Sequence, residues 1–306
     1  MRNIKDPGFG YSSKKDVQSI VNKDGSSNIV HRNKKISFQD GYSYLIQISW
    51  PKFLSYIFFS YIILNVFFGI IFLLIGIDEI TETTGNLFKD FLNGFFFSAQ
   101  TITTVGYGGI SPHGLLANII SAFEALIGLL GFSFITGLLY GRFSKPKSSI
   151  LFSENIILRE FKEGKALMFR LMNNRTSIMI EPEISVTLSI TTKSENMDFK
   201  REFFQLNLEY DKIKYLPTTW TIVHEIDKES PLFNLSEEEI KKLDAEWYIL
   251  MQYHEDSFGQ KVYQIHSYKT KDLKVNVKFI PSTSFNEEGY TVLNHEALSE
   301  LEPMNN

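Results

Sequence analysis

The chain has 306 residues, a formal net charge of −4 and 43% hydrophobic residues, a length that allows about two domains. It contains no cysteine, which excludes disulfides, thiolate metal sites and a cysteine nucleophile. Its six histidines are scattered without the spacing of metal ligands, and no catalytic grouping or phosphate-binding loop is apparent. We therefore expect no enzyme, no cofactor and no nucleic-acid partner.

The polar N-terminal segment runs for about fifty residues, so we expect no cleaved signal peptide. Near its end, bulky apolar residues recur at close to helical spacing: Phe38, Tyr42, Leu45 and Ile46. This pattern predicts a helix over residues 38–50 that lies in a membrane interface, with Trp50 as an anchor. A core helix of a soluble domain is the alternative.

Two long apolar runs predict membrane-spanning helices. Residues 53–77 carry no charge, and residues 115–140 carry only Glu124. A buried helical hairpin in a soluble protein is the alternative. Between them, residues 91–108 are too short to cross, which favours a re-entrant helix over about 91–103 followed by an extended return. The negative end of that helix dipole would favour a cation.

The return contains Thr104-Val105-Gly106-Tyr107-Gly108, which resembles the selectivity filter of potassium channels. Glycine permits backbone conformations that let consecutive carbonyls replace the hydration shell of K⁺. The Thr104 hydroxyl adds an oxygen at the inner end, while Val105 and Tyr107 are expected to pack away from the ions. A turn in an ordinary loop is the alternative. A potassium pore needs four such loops, so the motif implies a homotetramer.

Lysine and arginine flank the spans unevenly. They are frequent before the first span and just after the second, whereas the connecting loop has Lys89 against several acids. The positive-inside rule predicts a multi-pass protein of the cell (inner) membrane with both termini in the cytoplasm.

Further segments resemble the inward-rectifier potassium channel family, and the lack of long extracellular and C-terminal extensions is more similar to its prokaryotic branch. Residues 38–53 resemble its interfacial slide helix, 141–147 its inner-helix exit and 22–28 its first cytoplasmic strand. The string TIVHEIDKESPLF at 221–233 resembles a signature of its cytoplasmic domain, and 259–266 the loop at the cytoplasmic aperture.

The second half of the chain supports this resemblance independently. From residue 155 onwards, short runs alternate apolar and polar residues, which predicts an antiparallel sandwich, and Ser236 before three glutamates predicts a short capped helix. The expected fold is a membrane α-helical pore domain (two transmembrane helices, re-entrant pore helix and filter) followed by an all-β immunoglobulin-like sandwich. The expected boundaries are 1–37 for an N-terminal segment contributing a strand, 38–50 for the slide helix, 51–148 for the pore and 149–306 for the sandwich.

The resemblance implies roles for residues of the inner helix. Tyr140 is expected to narrow its cytoplasmic end as a gate, with Phe132 and Thr136 lining the path above; lipid-facing packing is the alternative. Strong rectifiers carry an acid where Phe132 stands, so we predict weak rectification. Glu181 and Asp256 match acids of the cytoplasmic pore, which leaves polyamines, Mg²⁺ and Ba²⁺ as candidate blockers.

Other candidates surround the filter and the membrane. Gln100 and Glu124 are candidates for filter support, Glu124 behind Thr103, although a solvent-filled cavity is an alternative for Glu124. Gly128 and Gly137 are candidate hinges, with close helix packing as an equal alternative. Six basic residues are candidate contacts for anionic lipid headgroups, or serve topology alone: Arg32, Lys34, Lys35, Arg142, Lys145 and Lys147.

Together these features predict passive K⁺ conduction with voltage-independent gating at the bundle crossing and cytoplasmic domain, modulated by anionic lipids. One alternative is a two-span K⁺ channel gated by a ligand-binding regulatory domain, which predicts alternating strands and helices after residue 150. Another is a membrane-tethered β-sandwich binding module that does not conduct.

Overall fold

The computed structural model describes residues 3–4, 12–13, 19–35, 37–144, 148–193, 199–256 and 259–304. The chain divides into two compact units. One comprises Asn33–Lys145, and the other comprises Met1–Arg32 together with Pro146–Asn306. The first unit is helical and the second consists mainly of strands.

The helices of the first unit are α1 (Phe38–Gln47), α2 (Trp50–Ile75), α3 (Leu87–Ile102) and α4 (Leu115–Phe143). Helices α2 and α4 are long and apolar enough to cross a bilayer, which confirms the two predicted spans. Helix α2 begins three residues earlier than predicted, with Pro51 in its first turn, where a missing N–H has no cost. Helix α4 continues three residues beyond Tyr140.

The short helices α1 and α3 both begin at side-chain caps. Ser37 and Asp40 form a reciprocal capping box at the start of α1. Helix α3 begins at Leu87, not at Phe91 as predicted, because the Asn86 side chain accepts hydrogen bonds from the backbone N–H groups of Phe88 and Lys89.

Over its described residues, the second unit is built mainly from strands, with one α-helix. They are β1 (Asn3–Ile4), β2 (Ser12–Ser13), β3 (Ile150–Phe152), β4 (Ile156–Phe161), β5 (Gly164–Asn173), β6 (Met179–Lys193), β7 (Phe199–Leu206), β8 (Tyr215–Leu216), β9 (Thr219–Glu225), α5 (Glu237–Lys242), β10 (Asp244–Glu255), β11 (Gln260–Lys269), β12 (Leu273–Val275), β13 (Val277–Phe279), β14 (Thr283–Phe285), β15 (Thr291–Leu293) and β16 (Leu301–Pro303).

One sheet joins β1, β7, β6, β10 and β11 in that order, with β2 on β7 and β8 on β6, while another joins β12, β4, β5 and β3, with β9 on β5. Their inward faces share one apolar core, in which Leu188 and Trp247 of the first sheet pack with Leu158 and Ile222 of the second. This is the predicted sandwich. Short antiparallel pairs β13–β16 and β14–β15 follow it.

Ser236 caps α5 through a capping box with Glu239, as predicted. Among the described residues from 148 onwards, α5 is the only α-helix, and the other long elements are strands. This contradicts the alternation of strands and helices expected of a ligand-binding regulatory domain. The prediction of a loop over 259–266 was wrong. Gln260–Lys269 is a strand paired along its length with β10, because buried Val262 and His266 alternate with exposed side chains.

Candidate functional site

The filter string is attached to the C-terminal end of α3 by backbone hydrogen bonds. The amide of Val105 donates to the carbonyl of Gln100 at 2.9 Å, and that of Thr104 donates to the carbonyl of Thr101 at 3.1 Å. The Gln100 carbonyl is thus one of the anchors of this string. These bonds fix the point at which the chain leaves the helix and turns into the extended segment.

Every second residue of the filter, beginning at Thr104, has a left-handed backbone conformation. Thr104, Gly106 and Gly108 have φ angles of 59°, 53° and 84°. In an ordinary strand successive carbonyls point in opposite directions, and left-handed residues at every second position break that alternation, so consecutive carbonyls can point to one side. Glycine at two of these positions avoids the side-chain strain that Thr104 carries.

The side chains of the filter find little packing within their own chain. Tyr107 is 83% exposed and Val105 is 52% exposed. The expected packing of these two side chains away from the ions therefore requires atoms from outside this chain.

A buried polar cluster joins three helices, one of which is α3, the helix that leads into the filter. Asn65 of α2, Ser98 of α3 and Glu124 of α4 are each fully buried. The Ser98 hydroxyl oxygen lies 3.1 Å from Asn65 Oδ1 and is hydrogen-bonded to Glu124 Oε1. Glu124 thus contacts α3 at Ser98, whereas the Thr103 hydroxyl donates to the carbonyl of Ala99. The Glu124 side chain has no exposed surface in the single chain.

Phe132, Thr136 and Tyr140 follow one another at intervals of four residues along α4, so they share one side of the helix. Phe132 is 72% exposed and Tyr140 is 75% exposed. The Thr136 hydroxyl donates to the carbonyl of Phe132 at 2.9 Å, which satisfies it within the helix. Two aromatic rings, those of Phe132 and Tyr140, are therefore exposed on this side of α4 in the single chain.

Arg142 is engaged within its own chain. Its guanidinium donates to the carbonyls of Leu45 (2.6 Å), Ile46 (3.1 Å) and Ile48 (2.8 Å), which close the C-terminal end of α1. Its guanidinium carbon also lies over the rings of Trp50 and Phe53. The last turn of α4 is thereby attached to the end of the interfacial helix.

The other basic candidates differ in their engagement. Arg32 and Lys35 are exposed, whereas the Lys34 ammonium lies 2.8 Å from Asp40 Oδ1. The hydrogen bond from Lys34, with those from Ser37, lowers the pKa of Asp40 to about 2. Lys145 and Lys147 lie outside the described residues.

The two candidate hinge glycines have different surroundings. A Cβ on Gly128 would lie 2.3 Å from the carbonyl oxygen of Ile102, so this glycine allows α4 to approach the end of α3. A Cβ on Gly137 would meet nothing within 4 Å in this chain. Gly128 therefore lies at a close contact between α4 and α3.

The two acids predicted for the cytoplasmic pore lie near the same end of two neighbouring strands. Glu181 is in β6 and Asp256 directly follows β10, at the same end of the sheet. Glu181 accepts a hydrogen bond from Lys214 at 3.1 Å and has Lys212 at 3.8 Å. The hydrogen bond from Lys214 lowers the pKa of Glu181, and the two ammonium groups offset its negative charge. Asp256 is exposed.

His224, within the signature string of residues 221–233, is hydrogen-bonded to one residue inside the string and one outside it. Its Nδ1 lies 2.6 Å from the carbonyl of Asn207, which can only accept, so Nδ1 carries the hydrogen and Nε2 accepts from the Ser230 hydroxyl at 2.9 Å. Burial lowers the pKa of His224, in keeping with this neutral form. The histidine is structural: it holds β9 against the loop that follows.

Residues that the sequence reasoning missed are Asn65 and Ser98, together with the carbonyls that Arg142 contacts. Asn65 was detectable as a lone amide within the apolar run of α2, since a polar side chain at membrane depth requires a partner. The identity of that partner, 33 residues away in sequence, was not detectable.

Comparison with known proteins decides what this arrangement belongs to. The family model described as the inward rectifier potassium channel C-terminal domain matches residues 150–305, and one described as ion channel matches residues 56–145. The chain belongs to the inward-rectifier potassium channel family. It is thus a membrane-embedded potassium channel of inward-rectifier type with K⁺ as the permeant ion, and its family consists of ion channels, not enzymes.

Two relatives illustrate the breadth of the family. The chain is 34% identical over 256 residues to the inward rectifier potassium channel Kirbac3.1 of Paramagnetospirillum magnetotacticum, covering 83% of this chain and 85% of the relative. It is 26% identical over 314 residues to the G protein-activated inward rectifier potassium channel 2 of Rattus norvegicus, covering 94% and 72%. A solved DNA glycosylase of Pseudomonas fluorescens aligns with a TM-score of only 0.18 at 12% identity, covering 63% of this chain and 48% of its own.

Proposed function

We propose that four copies of this chain surround one ion path and conduct K⁺ passively through a ring of four filter strings. The observation that carries this proposal is the left-handed backbone at Thr104, Gly106 and Gly108, combined with the exposure of Val105 and Tyr107 in the single chain. The first provides aligned carbonyls, and the second leaves a packing surface for neighbouring copies.

The channel lies in the cell (inner) membrane with both termini in the cytoplasm, according to the distribution of lysine and arginine. Because the chain contains no cysteine, single cysteines can be introduced at Ser26, Thr83 and Ser284 and labelled from one side of intact cells. A membrane-impermeant reagent should label only the Thr83 variant before the cells are opened.

The gate is formed by four Tyr140 rings, with Phe132 and Thr136 lining the path above them. The exposure of both rings in the single chain supports this placement. Arg142, two residues further along, joins this end of α4 to α1, so a displacement of the interfacial helix reaches the gate through three hydrogen bonds. The spans contain no series of arginines, so gating is voltage-independent.

Anionic lipid headgroups act mainly on Arg32 and Lys35. Both are exposed, and each basic residue near an anionic surface contributes about 1 kcal/mol. Arg142 and Lys34 contribute less because their charged groups are already engaged by α1.

Rectification is weak. An aromatic ring at Phe132 has no charge to hold Mg²⁺ or a polyamine, and the charge of Glu181 is offset by Lys212 and Lys214. Ba²⁺ nevertheless blocks, because it competes with K⁺ for the carbonyls of the filter.

Flux through liposomes of graded anionic-lipid content tests this proposal. The expected result is K⁺ flux that is blocked by Ba²⁺, is absent for Na⁺, and is abolished in Gly106→Ala, where a side chain would occupy a φ of 53°. Gly85→Ala is the matched control, since Gly85 also has a positive φ (73°) but lies in the loop before α3. No flux under any lipid condition would favour a non-conducting, membrane-tethered binding module.

A further inference from the structure

The hydrogens of the Asn65–Ser98–Glu124 cluster can be counted. A serine hydroxyl has one hydrogen to donate. The Ser98 oxygen nevertheless lies within hydrogen-bonding distance of two carbonyl-type oxygens, Asn65 Oδ1 at 3.1 Å and Glu124 Oε1. One of these two contacts therefore needs a hydrogen from the other partner.

The orientation of the Asn65 amide decides which partner supplies it. Asn65 Nδ2 lies 2.7 Å from the backbone carbonyl of Tyr61, which can only accept. Turning the amide over would place Oδ1 against that carbonyl, with no hydrogen between two acceptors. Asn65 Oδ1 therefore accepts the Ser98 hydrogen, and the hydrogen between Ser98 and Glu124 comes from the carboxyl group.

The surroundings of Glu124 agree with a neutral group. The side chain is fully buried, and its Oε2 has no hydrogen-bond partner within the described part of the chain. The basic residues of α2, α3 and α4 are Lys52, Lys89 and Arg142, all in the first or last turn of their helices. A buried carboxylate without a counter-ion is strongly disfavoured.

We propose that Glu124 is protonated and acts as a hydrogen-bond donor that positions α3, the helix that carries the filter. The chain of donors runs from Glu124 to Ser98, from Ser98 to Asn65, and from the Asn65 amide to the carbonyl of Tyr61. It joins α4, α3 and α2 in one direction. This inference depends on the proposed function only for its flux test.

Infrared spectroscopy of the full chain in lipid at neutral pH tests the protonation directly. The difference spectrum between wild type and Glu124→Gln should show the carbonyl stretch of one carboxylic acid, and Ser98→Ala should shift that band because the acid loses its acceptor. Glu79→Gln, which alters an acid in the loop after α2, should leave the band in place. A difference spectrum with only the stretches of an ionised carboxylate would overturn the proposal.

Selectivity provides a second test, since a group that merely fills space would respond differently. Gln can donate to Ser98 as a protonated Glu does, whereas Leu cannot. We expect Glu124→Gln to keep the K⁺-over-Na⁺ flux ratio within about twofold. Glu124→Leu should lower this ratio about tenfold, a change that corresponds to about 1.4 kcal/mol and is of the size expected for one lost hydrogen bond. Equal losses in both variants would contradict a donor role. If the wild type conducts nothing, the proposed function fails while the infrared result still decides the protonation.

Discussion

The guanidinium carbon of Arg142 lies 4.5 Å from the centre of the Trp50 ring, while its Nη2 donates to the carbonyl of Ile48 at 2.8 Å. The last turn of the inner helix is thus held to both the end of α1 and the start of α2. Such a contact can transmit a displacement of α1 to α4, or of α4 to α1. A basic residue that only binds a lipid headgroup would not couple the two helices in this way.

Replacing Arg142 by Lys should weaken this attachment, because an ammonium can neither form the planar fork nor stack on the rings in the same way. We expect the free energy of unfolding of the pore to fall by about 2–3 kcal/mol and the flux of K⁺ to change, while the K⁺-over-Na⁺ ratio stays constant. Thermal unfolding in detergent and liposome flux measure these quantities. Arg32→Lys is the control, and equal effects of the two substitutions would contradict the attachment.

Tyr140→Ala should raise the flux of K⁺ severalfold, because it removes the ring proposed to close the inner end of the path. Phe134→Ala is a matched control, since Phe134 is also an exposed aromatic of α4 but lies on a different side of the helix. If the two variants conduct alike, the gate lies elsewhere.

Phe132→Asp should convert weak rectification into strong. A carboxylate on this side of α4 attracts Mg²⁺ and spermine, so we expect the concentration of spermine for half-maximal block of outward current to fall at least tenfold (about 1.4 kcal/mol of added attraction). Phe132→Asn separates charge from polarity and should leave the block weak. Strong spermine block in the wild type would contradict the role assigned to Phe132.

Gly128 and Gly137 can be separated by the same substitution. Gly128→Ala should destabilise the pore by about 1–3 kcal/mol, because the added Cβ would lie 2.3 Å from the carbonyl oxygen of Ile102 and push the helices apart. Gly137→Ala fits without a clash in this chain and should leave thermal stability unchanged or slightly higher. If Gly137→Ala alters only the open probability, Gly137 acts as a hinge.

The stability of the cytoplasmic sandwich should fall in mild acid because of His266. This ring is buried, stacks on Phe152 at 4.4 Å, and burial lowers its pKa to about 4 from an ordinary 6.5. The unfolded chain takes up the proton first, so stability is fully present above about pH 6.5 and is lost as the pH falls towards 4, by about 3 kcal/mol. Thermal unfolding of the full chain against pH measures this loss.

His266→Phe should flatten the acid side of that profile, since phenylalanine keeps the stack and does not titrate. His295→Phe is the control, because it removes an exposed histidine. A profile that is unchanged in His266→Phe would assign the acid sensitivity to another group.

The sequence allowed the architecture to be predicted because its signals were local. The uncharged run in α2 and the Ser236–Glu239 box each act within a few residues. Asn86 is an equally local signal for the start of α3, but it lies before the apolar stretch, so the apolar pattern alone predicts a later start. The contacts of Glu124 and Arg142 could not be predicted, since Ser98 is 26 residues from the first and Ile48 is 94 residues from the second. Such pairs depend on how helices pack, which a single sequence does not reveal.

The strands β1 and β2 have a consequence for how the molecule is made. Phe203 and Phe204 are the partners of β1, about two hundred residues later, and both membrane spans lie between. At a synthesis rate of about 5–20 residues per second, the N-terminal strands wait on the order of ten seconds or more before β7 exists. The sheet can therefore be completed only after the pore segment has left the ribosome, and a chain that stalls inside the membrane part exposes unpaired strand edges to the quality-control proteases of the cell.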